Sequence, residues 1–225
     1  MNQSSLFSEL SKNWWNKNSS LKSLHAINKT RVEYILINSG KLLKNKTLLD
    51  VACGGGILTA SVANAFRHTT GIDINEKLIA VSKNKIKDMG IKNTSFVCED
   101  FFNFDTDETY DFVCLFEIIE HVANPMKLLE KAKSLLSKNG VIYLSCINKT
   151  FISKILTIHL AENLGIIPKG THDFNLYKTP HELKKIIDQL NLNLKDIQGV
   201  KYNPLNNIAS FSDDTSVNYF MKITK

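Results

Sequence analysis

Apolar and polar residues alternate in blocks along the middle of the chain, and the block lengths predict alternating strands and helices. Short apolar runs bounded by glycine, asparagine or aspartate are typical of buried strands, and longer runs with helical spacing are typical of helices. The predicted strands cover 47–50, 69–74, 94–98, 110–116 and 141–146, and the predicted helices cover 57–66, 76–89 and 124–137. This alternation predicts a parallel sheet with helices on both faces.

The last third of the chain departs from this alternation. Residues 151–167 form an apolar stretch with few charges, and 180–190 predict a helix. Two further strands are predicted over 194–202 and 217–223. Because only short links connect these last elements, we expect the final two strands to form an antiparallel edge of the sheet.

Composition and charge narrow the class of protein. The chain has 225 residues, is 43% hydrophobic and has no internal repeat or low-complexity linker, which favours a single domain. Its four cysteines form no C-x-x-C pair, which argues against a zinc knuckle and a disulfide framework. The net charge of +6 is spread along the chain, as on a solvated surface, although it would also favour anionic lipid or nucleic acid.

No apolar run reaches the roughly 18 residues that a membrane-spanning helix needs. The N-terminus, MNQSSLFSELSKNWW, lacks the charged and then apolar layout of a secretory signal. We therefore expect a cytoplasmic or peripherally membrane-associated protein.

A glycine turn, Cys53-Gly54-Gly55-Gly56, separates the first predicted strand from the first helix. Asp50 precedes the turn, and Asp73 ends the second strand about 20 residues after the first glycine, the interval of an acid that holds ribose hydroxyls. At the carboxyl ends of parallel strands, glycine lets a ligand approach the backbone, and the next helix presents its N-terminus. The pattern predicts a nucleoside-containing ligand, and both NAD and S-adenosylmethionine fit it.

Two details favour S-adenosylmethionine. The dinucleotide fingerprint requires glycine or alanine at the third position of G-x-G-x-x-G, which is Thr59 or Ile57 here, depending on where the count begins. Asp50 would repel a pyrophosphate, whereas it can attract the ammonium group of a methionine moiety. The structural alternative is a glycine-rich turn with a capping acid and no ligand.

The segment Asp50-Val51-Ala52-Cys53-Gly54-Gly55-Gly56, followed by Asp73, resembles the first motifs of class I S-adenosylmethionine-dependent methyltransferases. The resemblance implies a Rossmann-like α/β fold with a mostly parallel seven-stranded sheet, an antiparallel edge and helices on both faces. Ala52 replaces the family's first glycine, and its Cβ would be strained if the backbone needs a positive φ. An acid after the third strand usually contacts adenine in this family, and Asp100 is the favoured candidate.

Six further segments carry a narrower resemblance. They are Trp14-Trp15, 24–28 with Arg31, 117–122, Pro168-Lys169-Gly170-Thr171-His172-Asp173, Tyr202-Asn203-Pro204 and Val217-Asn218-Tyr219. In this order they resemble the UbiG family of ubiquinone-biosynthesis O-methyltransferases over nearly the whole chain, although Ser23 and Lys29 replace two prolines of the family. Matched residue by residue, the family's cofactor positions fall on Arg31, Ala52, Asp73 and Phe116, with Gly54 and Gly56 in the loop.

This family resemblance implies O-methylation of phenolic hydroxyls on polyprenylated catechol intermediates, namely 2-polyprenyl-6-hydroxyphenol and 3-demethylubiquinol. It implies S-adenosyl-L-methionine as cofactor, a divalent cation such as magnesium or zinc, and association with a ubiquinone-biosynthesis complex. A methyltransferase acting on RNA or on another small phenol is the alternative. An RNA enzyme should carry a basic stripe or an appended RNA-binding module, and the sequence shows neither.

Candidate catalytic residues follow the fourth predicted strand in the sequence E-I-I-E-H. If this segment is helical, Glu117, Glu120 and His121 share one face. His121 could then act as a general base oriented by a glutamate, or all three could bind a divalent ion that lowers the catechol pKa, as the family implies. A third interpretation makes the glutamates favourable at a helix N-terminus and His121 a packing residue. His172 is a second catalytic candidate, with loop stabilisation as its alternative.

The apolar stretch over 151–167 is flanked by Lys149, Lys154 and Lys169. It could contact a membrane surface and let a polyprenylated ring reach the pocket, or it could be a lid that packs on the domain. Trp14-Trp15 likewise could cover the cofactor or lie at the lipid interface.

The sequence thus predicts one methyltransferase domain over 1–225 with four parts. An N-terminal helical lid covers 1–45, and the cofactor-binding core covers 46–147. The apolar insertion covers 148–175, and a C-terminal helix with edge strands covers 176–225.

Overall fold

A computed structural model describes residues 8–40, 42–156 and 173–225. The strands in these residues are β1 (Thr47–Val51), β2 (His68–Asp73), β3 (Thr94–Cys98), β4 (Tyr110–Leu115), β5 (Leu136–Ile147), β6 (Asn193–Asn203), β7 (Ile208–Ser212) and β8 (Asn218–Thr224). They form one sheet in the order β3-β2-β1-β4-β5-β8-β6-β7. Neighbouring strands from β3 to β5 are parallel, and β8, β6 and β7 pair antiparallel at one side.

The predicted fold class is confirmed, with one additional strand. The described residues form eight strands instead of the predicted seven, because residues 208–212 fold back on β6 as β7. Its sequence, Ile-Ala-Ser-Phe-Ser, is too short and too weakly alternating to predict a strand without its partner.

The helices are α1 (Lys22–Asn38), α2 (Ile57–Val62), α3 (Glu76–Asp88), α4 (Pro125–Ser134), α5 (Phe151–Lys154) and α6 (Pro180–Gln189). Polar side chains define where several of them begin. The Asn75 side chain accepts from the backbone N–H groups of Lys77 and Leu78 at the start of α3. Thr179 and Glu182 form a reciprocal capping box at the start of α6.

Apolar side chains cover both faces of the sheet. Leu49 faces a cluster with Leu128 of α4 and Leu183 of α6, and all three are fully buried. The adjacent Leu48 faces the other cluster, which includes Ile35 of α1. Successive strand residues point to opposite faces, so helices on both sides follow from the continuous apolar runs.

Several predicted elements differ in the structure. The helix predicted over 124–137 ends at Ser134, and the strand predicted from 141 begins at Leu136. Leu136 pairs with Tyr110, and Val141 pairs with Phe112. The polar residues between Leu136 and Val141 lie in a register irregularity of the strand. The segment after β4 is also not an α-helix, because only a single 3-10 turn forms, over Ile119–His121.

The parallel strands place their carboxyl ends at one edge of the sheet, called here the carboxyl edge. Asp50 of β1 lies beside Gly71 of β2 and Cys114 of β4, so the residues following these three strands come together. Among the described residues, no helix is long and apolar enough to span a membrane.

Candidate active site

The glycine loop between β1 and α2 has a backbone that requires glycine. Gly54 and Gly56 have φ values of 54° and 76°, in the left-handed region. The Gly54 N–H donates to Asp73 Oδ2 at 2.8 Å, and the Ser82 hydroxyl of α3 donates to the Gly54 carbonyl at 3.1 Å. A Cβ at Gly56 would lie 2.7 Å from the Phe96 ring. The loop is therefore held by both β2 and α3.

Asp73, at the end of β2, accepts backbone hydrogen bonds on both carboxylate oxygens. Besides the bond from Gly54, its Oδ1 accepts from the Asn75 N–H at 2.8 Å. Burial raises the pKa of Asp73, and these two bonds oppose the shift. Each oxygen keeps a further lone pair, so the carboxylate can also accept from ligand hydroxyls.

Asp50 lies beneath the loop, buried and bound to a helix residue. The Thr59 hydroxyl donates to its Oδ2 at 2.5 Å. Burial raises the pKa of Asp50 to about 6, while Thr59 and the Arg31 charge oppose that rise and Asp73 adds to it. Thr59 was noted in the sequence only as a departure from the dinucleotide fingerprint. Its position in the first turns of α2 was the one signal that it could reach Asp50.

Ala52 adopts the strained conformation that the sequence left open. Its φ is 55°, although it carries a Cβ. An L-residue other than glycine pays about 1–2 kcal/mol in this region.

Arg31 of α1, which is buried, and Glu117 after β4, which is partly exposed, form an ion pair. Arg31 Nη2 lies 2.9 Å from Glu117 Oε1, and the guanidinium stacks 5.5 Å from the centroid of the Phe116 ring. The structure thus brings together three predicted site residues from distant segments. Arg31 Nε is buried and has no hydrogen-bond partner among the described residues, which leaves a donor for a ligand.

Ser145 of β5 is a second partner of Glu117, at the same carboxylate oxygen as Arg31. Its hydroxyl donates to Glu117 Oε1 at 2.9 Å and accepts from the Glu117 N–H at 2.8 Å. Glu117 itself has a φ of 55°, so these contacts hold an unfavourable backbone conformation. Sequence reasoning missed Ser145, because a small polar residue within an apolar strand gives no signal of its partner.

Glu120 is buried in the turn after β4. Neither carboxylate oxygen has a hydrogen-bond partner in the described part of the chain, and burial, reinforced by the Glu117 charge, raises its pKa well above the usual range. His121 is half-buried, and its backbone N–H donates to the Ile118 carbonyl at 2.9 Å.

The shared helical face expected for Glu117, Glu120 and His121 is wrong. In the 3-10 turn the three side chains do not follow α-helical spacing, and Glu117 lies before the turn in a left-handed conformation. Within residues 8–40, 42–156 and 173–225, no three His, Cys, Asp or Glu side chains are arranged to hold a metal ion. The residues present thus do not form the expected ligand set, and the metal assignment stays a prediction.

Trp14 and Trp15 lie against the glycine loop. A Cβ at Gly54 would be 2.6 Å from the Trp14 ring, and Trp15 Nε1 donates to the Gly55 carbonyl at 2.8 Å. Trp14 is only 7% exposed, and its carbonyl is 2.9 Å from His25 Nε2 of α1. Both rings therefore pack on the domain and cover the loop from outside.

The side of the carboxyl edge beyond Asp73 has an apolar surface. Ile74, directly after Asp73, is 67% exposed, and its carbonyl is 3.8 Å from the Cys98 thiol at the end of β3. Asp100 follows β3, and its Oδ1 accepts from the Phe102 N–H at 2.9 Å. Ile74 was not among the residues singled out in the sequence, although an apolar residue directly after Asp73 was a visible signal.

The apolar insertion leaves and rejoins the described structure near the turn after β4. Lys154 Nζ lies 5.1 Å from the Phe174 ring centroid, and Lys149 Nζ donates to the Asn175 carbonyl at 3.3 Å. The turn over Phe174–Leu176 contacts the turn over Ile119–His121. His172, Lys169 and most of the predicted membrane segment, 157–167, lie outside the described residues.

Comparison with known proteins identifies the domain. A family model described as a methyltransferase domain matches residues 42–203. The magnesium protoporphyrin IX methyltransferase from Synechocystis PCC 6803 has the same fold, with a TM-score of 0.67 at 17% identity over 90% of this chain and 84% of that chain.

Relatives of higher identity match almost the full length. The ubiquinone biosynthesis O-methyltransferase of Coxiella burnetii is 36% identical over 97% of this chain and 93% of that protein. The protein of the same name from Aromatoleum aromaticum is 36% identical over 96% and 92% of the two chains. Because the similarity to these relatives extends over almost the whole chain, this chain belongs to the family of ubiquinone biosynthesis O-methyltransferases.

Proposed function

We propose that this protein transfers the methyl group of S-adenosyl-L-methionine to a phenolic oxygen of polyprenylated catechol intermediates. The predicted substrates are 2-polyprenyl-6-hydroxyphenol and 3-demethylubiquinol, and the similarity to ubiquinone biosynthesis O-methyltransferases supports this pathway. The proposal is supported above all by the carboxyl edge of the sheet. There the glycine loop, which is hydrogen-bonded to Asp73, lies next to the ion pair of Arg31 and Glu117.

The site residues fit the cofactor. The unpartnered Nε of Arg31 suits the carboxylate of the methionine moiety, and Asp50 suits its ammonium group. Asp73 suits the ribose hydroxyls, and Ile74 with Asp100 suits the adenine ring. Ala52, Gly54, Gly56 and Phe116 complete the predicted cofactor surface. When bound, S-adenosyl-L-methionine supplies an electrophilic methyl group on a sulfonium.

The chain's own residues must orient the phenol and remove its proton. His121, half-buried beside the turn, acts as the general base in this proposal. Glu117 is 31% exposed on its side chain and is held by Arg31 and Ser145, so it can orient either the base or the substrate hydroxyl. Glu120 remains buried behind it, and His172 is a second candidate contact on the substrate side.

Positioning supplies a large part of the rate in such a displacement. Trp14 and Trp15 cover the glycine loop, which supports the N-terminal segment as a lid that limits the access of water. Glu117 is held by both Arg31 and Ser145, so its carboxylate has little freedom to move.

Access of a polyprenylated substrate requires contact with a membrane surface. Phe151, Ile152 and Leu156 are 75%, 54% and 42% exposed at the start of the insertion. Lys149 and Lys154 lie beside them. An exposed apolar group next to lysines is suited to the interface of an anionic bilayer. This supports peripheral membrane association through 151–167.

Methyl transfer to a short-tailed, reduced demethylubiquinone tests the proposed activity. We expect a methylated product by mass spectrometry, loss of activity in His121→Gln, and little change in His181→Gln, which alters an exposed histidine on α6. The assay is run with and without EDTA. A product that persists in EDTA supports His121 as the base, whereas loss in EDTA that Mg²⁺ restores supports Glu117, Glu120 and His121 as metal ligands. No product, with cofactor binding confirmed, would contradict the proposed substrate.

A further inference from the structure

The hairpin between β6 and β7 presents an apolar tip that the proposed activity does not use. Leu205 is 95% exposed, the highest value among the large hydrophobic residues in the described part of the chain. Ile208, at the start of β7, is 55% exposed. The tip includes Pro204 of the Tyr202-Asn203-Pro204 segment, for which no role has been assigned so far.

Side-chain hydrogen bonds fix the shape of this turn. Asn203 Oδ1 accepts from the Leu205 N–H at 3.0 Å, and Asn206 Oδ1 accepts from the Ile208 N–H at 3.2 Å. The Tyr202 hydroxyl donates to Asn207 Oδ1 at 2.9 Å, and Asn207 has a φ of 54°, which asparagine tolerates well. The turn is therefore built to hold Leu205 outward.

The strand register places this tip at the carboxyl edge. Ile147 at the end of β5 pairs with Asn218 of β8, which pairs with Val200 of β6. From Val200, β6 continues three residues to Asn203, which is about 10 Å further out. The tip of the hairpin and the end of β5 are two strand spacings apart, about 10 Å. Both project in the same direction.

The loop between β7 and β8 fixes the start of the insertion relative to the hairpin. The Thr150 hydroxyl donates to the Ser216 carbonyl at 2.7 Å, and Asn148 Nδ2 donates to the Thr215 carbonyl at 2.9 Å. The exposed group of Phe151, Ile152 and Leu156 follows directly. Two apolar groups are thus held at one edge by a common framework.

We propose that the β6–β7 hairpin tip is a second lipid-contact point, which places Leu205 and Ile208 in the bilayer surface contacted by residues 151–156. The inference rests on the membrane contact of the proposed function. Lys149 and Lys154 border the first group and Lys201 borders the second, which favours anionic head groups. Asp213 and Asp214 lie in the neighbouring loop, where Asp214 accepts from the Ser216 N–H and hydroxyl.

Two contact points would orient the enzyme as well as bind it. A single apolar group allows the protein to rotate on the surface, whereas two groups at separate positions along the sheet fix the carboxyl edge against the bilayer. The substrate side of the pocket then faces the lipid from which the ring must enter.

Flotation with vesicles tests this proposal on the full chain. The vesicles contain phosphatidylethanolamine and phosphatidylglycerol, and the variants are Leu205→Ser and the matched control Leu42→Ser. Leu42 is 77% exposed but precedes β1, so it lies at the opposite edge of the sheet. We expect Leu205→Ser to weaken vesicle binding about tenfold or more, and Leu42→Ser to bind as the wild type does. Both variants should keep wild-type activity on a short-tailed substrate in solution.

The outcomes distinguish membrane contact through the hairpin from membrane contact through residues 151–156. If the wild type binds vesicles and Leu205→Ser binds equally well, the hairpin proposal is overturned and the contact through 151–156 stands. If the wild type does not bind at all, the membrane part of the proposed function fails together with the hairpin. Self-association that Leu205→Ser abolishes in sedimentation velocity without vesicles would instead assign the tip to a second copy of the chain, which also overturns the proposal.

Discussion

The glycine loop after β1 and the turn after β4 lie at the same edge of one sheet, but they differ in how their polar groups are paired. In the glycine loop, Asp73 accepts two backbone N–H bonds and Asp50 accepts the Thr59 hydroxyl. At the turn, Arg31 Nε and both Glu120 oxygens are buried without a hydrogen-bond partner among the described residues. The polar groups of the loop thus have partners within the protein, with lone pairs of Asp73 left over for a ligand, whereas the side chains of Arg31 and Glu120 have buried atoms with no partner among the described residues.

This difference shows where binding can lower the free energy most. A buried polar group without a partner costs about 1–3 kcal/mol, and a ligand that supplies the partner recovers that cost. The loop instead contributes a fixed surface, because its donors and acceptors already stabilise its own backbone. Under the proposed function, the loop sets the position of the cofactor, and the unpaired atoms of Arg31 and Glu120 are available to a bound ligand.

The largest expected effect concerns the fixed loop. Asp73→Ala removes the acceptor of the Gly54 N–H and the proposed partner of the ribose hydroxyls. Because hydrogen bonds to a charged group contribute about 1.5–3 kcal/mol each, cofactor affinity should fall at least about 100-fold by calorimetry. Asp88→Ala, at an exposed position in the same region of the chain, should leave the affinity unchanged. Equal cofactor affinities of Asp73→Ala and the wild type would contradict the assignment of Asp73 to the ribose hydroxyls.

The next expected effect is a pH dependence of the free energy of unfolding that is caused by Asp50. Its pKa is raised from 3.8 to about 6 in the folded protein, so the native state keeps a proton that the unfolded state releases. The free energy of unfolding should therefore fall as the pH rises from about 4 to about 6, by about 3 kcal/mol. Arg31 and Asp73 are the charged groups that face Asp50.

Asp50→Asn keeps an acceptor for Thr59 but cannot titrate. Urea unfolding between pH 4 and pH 7 should show the variant gaining stability relative to the wild type as the pH rises. A constant difference across this range would show that Asp50 has an ordinary pKa. Asp88→Asn, an exposed aspartate, serves as the control and should follow the wild type.

A smaller effect tests the turn. Ser145→Ala removes the hydroxyl that binds both the N–H and the carboxylate of Glu117. We expect the free energy of unfolding to fall by about 2 kcal/mol and kcat to fall several-fold, with cofactor affinity nearly unchanged. Ser134→Ala, at an exposed helix end, should alter neither quantity. If cofactor affinity falls as much as kcat, the loop and the turn are not separate units.

The smallest effect should be a gain in stability. Ala52→Gly relieves the left-handed backbone conformation and should stabilise the protein by about 0.5–1 kcal/mol. Ala60→Gly, in the interior of α2, should destabilise it by about 1 kcal/mol or more, because the backbone there is helical. Thermal unfolding measures both. A loss of stability in Ala52→Gly would show that the Cβ contributes contacts that outweigh its strain.

The elements that the sequence predicted well are those whose signal is local. Strand β3 begins and ends at the predicted residues, Thr94 and Cys98, because a short apolar run shows both its period and its ends. The position of Asp73 relative to Gly54 was also predictable, since consecutive strands and a short helix fix that distance along the chain. Strand β7 and the early start of β5 were missed, because each depends on pairing with a strand elsewhere in the chain.

The alternation of strands and helices and the glycine loop with Asp50 and Asp73 could be predicted from periodicity and from spacing over about 20 residues, which are properties of the local sequence. The family was predicted from its resemblance to known sequence segments. The pairing of Arg31 with Glu117, the contact of Ser145 with that glutamate and the burial of Glu120 are visible only in the folded structure. The projection of Leu205 at the same edge as Phe151 is likewise visible only there. These contacts join residues far apart in sequence, and their energies depend on burial, which exists only once the sheet has formed.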